Sequence, residues 1–98
     1  MERLLVSCIT RTYHPDPHRK ILSIGGIYRG KLWEHSEIDA INNIENHEIT
    51  YYINKGNYSL ELVVASYQYI KYLKTQSDAL EPDNLLALPE MPLTTKTL

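Results

Sequence analysis

Basic and aromatic side chains alternate along the first third of this 98-residue chain: Arg11 with Tyr13, then Arg19 and Lys20, then Arg29 and Lys31 beside Tyr28 and Trp33. Guanidinium and ammonium groups neutralise phosphate or carboxylate, and a neighbouring ring offers a face on which a base can stack. Arg11, Arg19, Lys20, Tyr13, Arg29, Lys31 and Trp33 are therefore the candidate residues for an anionic ligand. The net charge of −2 conceals a split, since residues 1 to 33 carry +4 and residues 34 to 98 carry −6. That split makes a basic face for an anion, or complementary surfaces that hold a dimer together. The competing reading of the same cations is a sheet edge on which Lys and Arg discourage aggregation.

Other chemistry finds less support. His14 and His18 have the spacing of two ligands on a helix, but Pro15 and Pro17 forbid a helix there and no Cys or third His lies nearby. Gly25, Gly26 and Gly30 match neither a dinucleotide fingerprint nor a P-loop. Gly26-Ile27-Tyr28 and Tyr51-Tyr52-Ile53 resemble the paired tripeptides of the GIY-YIG nucleases. The second lacks its glycine, however, and a whole helix separates the two. Cys8 falls inside a strand and Ser36 at a helix cap, positions with structural explanations. Thr75 and Asp78 read as a local turn or cap. No catalytic residue, metal or cofactor is expected.

The length suits one domain with a single core that needs neither metals nor disulfides. A lone cysteine, Cys8, fits a reducing cytoplasm. Apolar runs stop far short of the roughly 20 residues that span a bilayer, and the first residues lack a signal-peptide pattern. Eight tyrosines and no phenylalanine place rings with polar tips where a purely apolar core would use Phe. Such rings suit half-buried sheet faces and interfaces.

The elements that position these residues follow from periodicity. Residues 3 to 12 read as a first strand, Tyr13 to Pro17 break it, and residues 20 to 29 resume as a second. Gly25-Gly26 inside the second strand predicts a bulge or a close backbone approach. Ser36 with Asp39 resembles a capping box, and Ile38, Ile41 and Ile44 with Ala40 predict a helix over about 36 to 46. Ile49 to Ile53 and Tyr58 to Ser66 predict a hairpin across Asn54 to Asn57. A last strand is expected over 68 to 75, and then a turn at Pro82-Asp83-Asn84. Leu85, Leu86 and Leu88 are expected to be buried, with a frayed tail over 93–98.

The stretch Lys71 to Asp78 followed by Pro82 to Glu90 reads as a signature. With Asp16-Pro17-His18-Arg19, Ile24-Gly25-Gly26, Trp33 before Ser36, Ala40-Ile41, Ile44-Glu45 and Tyr51-Tyr52-Ile53, nearly the whole chain resembles a bacterial family of unknown function, numbered 3892. The resemblance is specific for fold and implies no catalytic residues. This chain departs from the family pattern at Tyr69, where glycine is favoured, at Ala79 after Asp78, and at Met91, often cysteine.

The expected architecture is α+β: a single domain over 1–92, with an antiparallel sheet of about five strands in the order β-β-α-β-β-β and one helix packed on one face. The other face, rich in tyrosine, is expected to be uncovered. Tyr51, Tyr58, Tyr67 and Tyr69 are the interface candidates for a homo-oligomer or another protein partner. The alternative is a binder of nucleic acid or a nucleotide-like anion through the basic hairpin. No membrane partner is expected.

Overall fold

The computed structural model describes residues 2–79 and 81–92, so the expected tail over 93–98 lies outside the described residues. The α+β class holds, but the strands form two sheets rather than one. In chain order they are β1 (Glu2–Leu5), β2 (Cys8–Arg11), β3 (Ile21–Tyr28), β4 (Lys31–Ser36), β5 (Ile49–Lys55), β6 (Tyr58–Tyr67) and β7 (Ile70–Thr75). Helix α1 (Glu37–Glu45) follows β4, and a short α2 (Asp83–Leu86) follows β7. One sheet has the order β1-β5-β6-β7, with β1 parallel to β5, and the other has the order β2-β3-β4.

The single first strand expected over 3 to 12 divides at Val6–Ser7. The Val6 amide donates to the Tyr52 carbonyl at 2.7 Å, while the next amide, Ser7, donates to Gly25 at 2.9 Å. Consecutive residues thus bond into different sheets, the corner by which a strand leaves one layer for another. The corner needs Gly25-Gly26. A Cβ at Gly26 would fall on the Leu5 carbonyl oxygen, and one at Gly25 on the Met91 side chain and the Trp33 carbonyl. The pair marks a close approach, as expected, and the bulge lies elsewhere. Thr10 opposes Ser23 while Arg11 opposes Ile21, which leaves Leu22 as the extra residue. That insertion reverses the alternation, so Ile21 and Ile24 both enter the core and Leu22 stays exposed.

Strand β4 was not foreseen. Its hairpin with β3 closes through two residues, Arg29 and Gly30, with φ of 52° and 81°. Two consecutive positive φ values suit the twist of a tight hairpin. Ser36 then accepts the Asp39 amide and starts α1, as its sequence predicts. The buried stripe of α1 is Glu37, Ala40, Ile41 and Ile44, whereas Ile38 points to solvent. Spacings of four and three follow the helix, but the regular threes of Ile38, Ile41 and Ile44 drift off the face. The helix ends as expected at Asn46-His47, with His47 at φ 58°. Bonds from His47 to Ile44 and from Glu48 to Asn43 complete a Schellman motif there.

The core lies between the sheets and under α1. Tyr51, Ile53, Leu62 and Leu73 from the four-stranded sheet meet Ile9, Ile21 and Ile24 from the other. Leu85 is fully buried there, while Leu86 and Leu88 pack against this cluster half-buried. The connection from β7 to α2 is held by a polar knot. The Asp78 carboxylate accepts the Thr75 amide (2.9 Å), the Thr75 hydroxyl (3.0 Å), the Asn84 amide (3.2 Å) and the Asn84 side chain (3.0 Å). Thr75 has no exposed surface, so its amide depends on this carboxylate, while its hydroxyl also meets Ser77 Oγ at 3.2 Å.

Two predictions follow from these constraints. Asp78→Ala strands the buried Thr75 amide and should cost about 3 kcal/mol in denaturant unfolding, whereas Asp78→Asn, which retains acceptor capacity, should cost less. Gln68 and Tyr69 form the β6–β7 turn at φ 49° and 68°, although neither is glycine. Tyr69 is fully exposed and packs on nothing. Gln68→Asn with Tyr69→Gly should therefore raise stability by about 1 kcal/mol through relief of the left-handed backbone, read as a higher melting temperature.

Candidate functional site

The β2–β3 connection carries the first candidate. Arg11 ends β2, Lys20 precedes β3, and residues 11–15 with Lys20 and Leu86 line an open groove of about 380 Å³. The fold thus brings Arg11, Tyr13 and Lys20 together. Arg11 is largely committed to structure, since its Nη2 donates to the Leu86 and Leu88 carbonyls and its Nη1 lies 3.2 Å from Glu90. Lys20 forms no ion pair among the described residues. The Tyr13 ring is fully exposed. Arg19 is not in the groove and lies 3.9 Å from Asp16.

The other cations do not assemble as expected. Arg29 and Lys31 flank the β3–β4 turn, with the Arg29 guanidinium 5.3 Å from the Tyr28 ring centroid. Trp33 lies half-buried against the core over Gly26, with its indole N–H buried and unpartnered, and is not a stacking platform for those two cations. Arg3, another cation of the basic first third, sits in the other sheet, pairs with Glu61 at 2.7 Å and covers the Tyr52 ring at 3.7 Å. Part of the charge split is therefore neutralised within the fold by Arg3–Glu61 and Arg11–Glu90.

The expected tyrosine face does not exist as one surface. Tyr51 is buried without exposed area and lies in the core, so it is withdrawn as an interface residue. Its hydroxyl meets His35 Nδ1 at 2.8 Å and accepts Asn43 Nδ2 at 2.9 Å, and burial raises its pKa. Tyr58 and Tyr67 lie nine residues apart on β6, on opposite faces and separated by about 30 Å of strand. Tyr69 lies beyond, in the turn. Tyr67 stacks on His18 with ring centroids 4.1 Å apart and planes at 9°, and Tyr72 meets the same imidazole edge-on at 4.8 Å.

These contacts explain Asp16-Pro17-His18-Arg19. Residues Pro17–Arg19 form one 3-10 turn capped by Asp16, which accepts the His18 amide at 2.9 Å and lies 2.8 Å from its Nδ1. Those bonds hold the Asp16 carboxyl below its ordinary pKa. The turn presses His18 onto the face of β6 and β7 turned away from the main core, which is why that face is not bare. The Nδ1 of His14 accepts the Asp16 amide, and the Nδ1 of His18 meets the Asp16 carboxylate. Among the described residues no group of three or more His, Cys, Asp or Glu could hold a metal. Burial raises the pKa of the Cys8 thiol, whose sulfur lies 3.3 Å from that of Met91.

The second candidate is a backbone feature. Two sheet edges are hydrogen-bonded by other groups, β2 by Pro89 and Met91 through Ile9 and β7 by the Glu37 carboxylate on the Leu73 amide (3.2 Å), and at β1 the Leu5 end comes close to β3 at Gly26. Nothing among the described residues bonds to the outer edge of β4. The closing pair Tyr28–Lys31 of a two-residue hairpin is hydrogen-bonded, so Leu32 and Glu34 direct their amides and carbonyls outward. Ile27 and Leu32, directly paired, add an exposed apolar strip on the outer sheet face, at 66% and 39% exposure. Sequence reasoning missed this site because it missed β4. The two-residue Arg29-Gly30 loop was the available signal.

The fold and these sites define a small α+β domain of two sheets that offers an unpaired strand edge and an open basic groove. Residues 6–89 match the family model described as "Protein of unknown function (DUF3892)", and the chain belongs to that family. No curated protein and no solved structure matches the chain. No helix among the described residues is long and apolar enough to cross a membrane.

Glu37 offers a test of the edge cover. Desolvation raises its pKa from 4.5 to about 7, against the smaller opposing effect of the Leu73 amide. A carboxyl whose folded pKa exceeds its unfolded value binds more protons when folded, so stability falls as pH rises from 4.5 to about 7. Glu37→Gln, which retains an acceptor for Leu73, should be more stable than the parent at pH 8 by up to about 3 kcal/mol. The advantage should vanish below pH 4.5, as read by paired denaturant titrations.

Proposed function

We propose that this domain is a small binding module that acts through protein–protein contacts and self-associates by pairing β4 of one copy with β4 of another. The observation that carries this reading is the open edge of β4, flanked by an exposed apolar strip, in a fold whose β2 and β7 edges are met by a chain segment and a carboxylate. Antiparallel edge pairing satisfies the outward amides, and the exposed Ile27–Leu32 strip gives the joined sheets apolar surface to bury. A two-fold register that sets Leu32 of each copy beside Glu34 of the other keeps the two Glu34 carboxylates apart. A register centred on Glu34 would bring them face to face. The module needs no chemistry of its own, and its one buried thiol suits a reducing, cytoplasmic setting.

Light scattering at high micromolar concentration should give a dimer. Leu32→Pro removes the outward amide without breaking a β3–β4 bond and should yield a folded monomer. Leu32→Ala should weaken the dimer less. Tyr58→Lys and Tyr69→Lys should leave it intact, because neither residue is near β4. A parent chain that stays monomeric at such concentrations would remove the proposal.

A further inference from the structure

We infer that the groove between residues 11–15 and Lys20 binds a nucleoside monophosphate-like ligand, with its phosphate at Lys20 and its base on the Tyr13 ring. This site lies at the opposite end of β3 from the turn that leads into β4, so it stands independently of the edge proposal.

The groove's volume, about 380 Å³, falls within the range of small-molecule sites. Its polar groups are donors. Lys20 brings an ammonium with three hydrogens and no ion-pair partner among the described residues. His14 Nδ1 accepts the Asp16 amide at 3.0 Å, so the neutral ring carries its proton on Nε2 and becomes a donor too. Arg11, fixed by the Leu86 and Leu88 carbonyls and paired with Glu90, borders the groove as a structural side chain, so the anion's charge falls to Lys20. An anion with several acceptor oxygens satisfies such a set, and phosphate has them.

Tyr13 supplies the second half of the argument. At 105% exposure the whole face of the ring is open, and unlike the equally exposed Tyr69 it borders the groove. Pro15 and Leu86 provide apolar lining beside it. Stacking on such a ring contributes in a way that tolerates any base. A mononucleotide fits the groove's size better than a duplex, which an overall net charge of −2 would repel.

Adenosine monophosphate titrated into the full chain at low salt, followed by calorimetry and amide NMR shifts, should show saturable binding with shifts centred on residues 11–20. Lys20→Ala should weaken binding tenfold or more, and Tyr13→Ala at least threefold. Both side chains lie outside the core, and unchanged melting would verify that the variants fold. Inorganic phosphate should bind at least threefold more weakly than the nucleotide. No saturable binding at low salt, undiminished affinity in Lys20→Ala, or inorganic phosphate bound as tightly as the nucleotide would each overturn the inference. A short oligothymidylate that binds more tightly, with steep salt dependence, would overturn the mononucleotide form in favour of a single strand.

Discussion

Two consecutive amides, Val6 and Ser7, donate to two different sheets, and the rest of the structure accommodates that corner. A strand can leave one sheet for another only where the layers come within hydrogen-bond reach, so β3 must pass β1 without a side chain between them. Gly26 makes the passage possible, and the space above it is filled by Trp33, which pairs with it across β4. Gly25, on the other face, admits Met91. Met91 in turn donates its amide to Ile9, which places the chain end along β2. The glycine pair, the tryptophan and the end of the chain are thus parts of one steric solution.

Much of the family pattern resolves into fasteners of this kind. Asp16 and His18 pin the β2–β3 connection onto the far side of β6 and β7, and Thr75, Asp78 and Asn84 pin α2 to the end of β7. Arg11 completes the set by accepting a largely structural position: two bonds to the carbonyls of Leu86 and Leu88 and an ion pair with Glu90. Each fastener relies on hydrogen bonds that are charged or buried, where losing one partner costs more than forming the pair contributes. A small domain with a modest core gains most from such points.

What the sequence made legible was local. The cap at Ser36, the hairpin over β5 and β6, the close approach at Gly25-Gly26 and the inward Leu85 each follow from chemistry within a few residues. What it hid was parity and partnership. A one-residue bulge at Leu22 reverses every alternation argument on its far side. Tyr51 and Tyr58 look alike in a pattern of rings and share one sheet face, yet one is core and the other exposed, because Tyr58 stands opposite Lys55 at the tip of the hairpin, beyond the reach of the core. The basic cluster was half legible: Arg11, Tyr13 and Lys20 share a groove because β2 and β3 pair as expected. Trp33 fell away because it turns inward over Gly26.

Where function resides can be narrowed by asking which groups the fold leaves unspent. Glu34 might have guarded the edge of β4, as charged side chains commonly do. Instead its carboxylate turns back over its own sheet and accepts hydrogen bonds from Ser23 and Thr10, a rung that ties β4, β3 and β2 together. That rung stiffens the three strands while leaving the outward amides of Leu32 and Glu34 uncovered. A rigid strand with an open edge loses little conformational entropy when another strand is added, which favours binding over an equally open but mobile loop. The same economy holds at the groove, where Arg11 is fixed by its structural bonds and only Lys20 and Tyr13 must be ordered. In both places the fold has placed an unsatisfied surface on a support already held by other interactions.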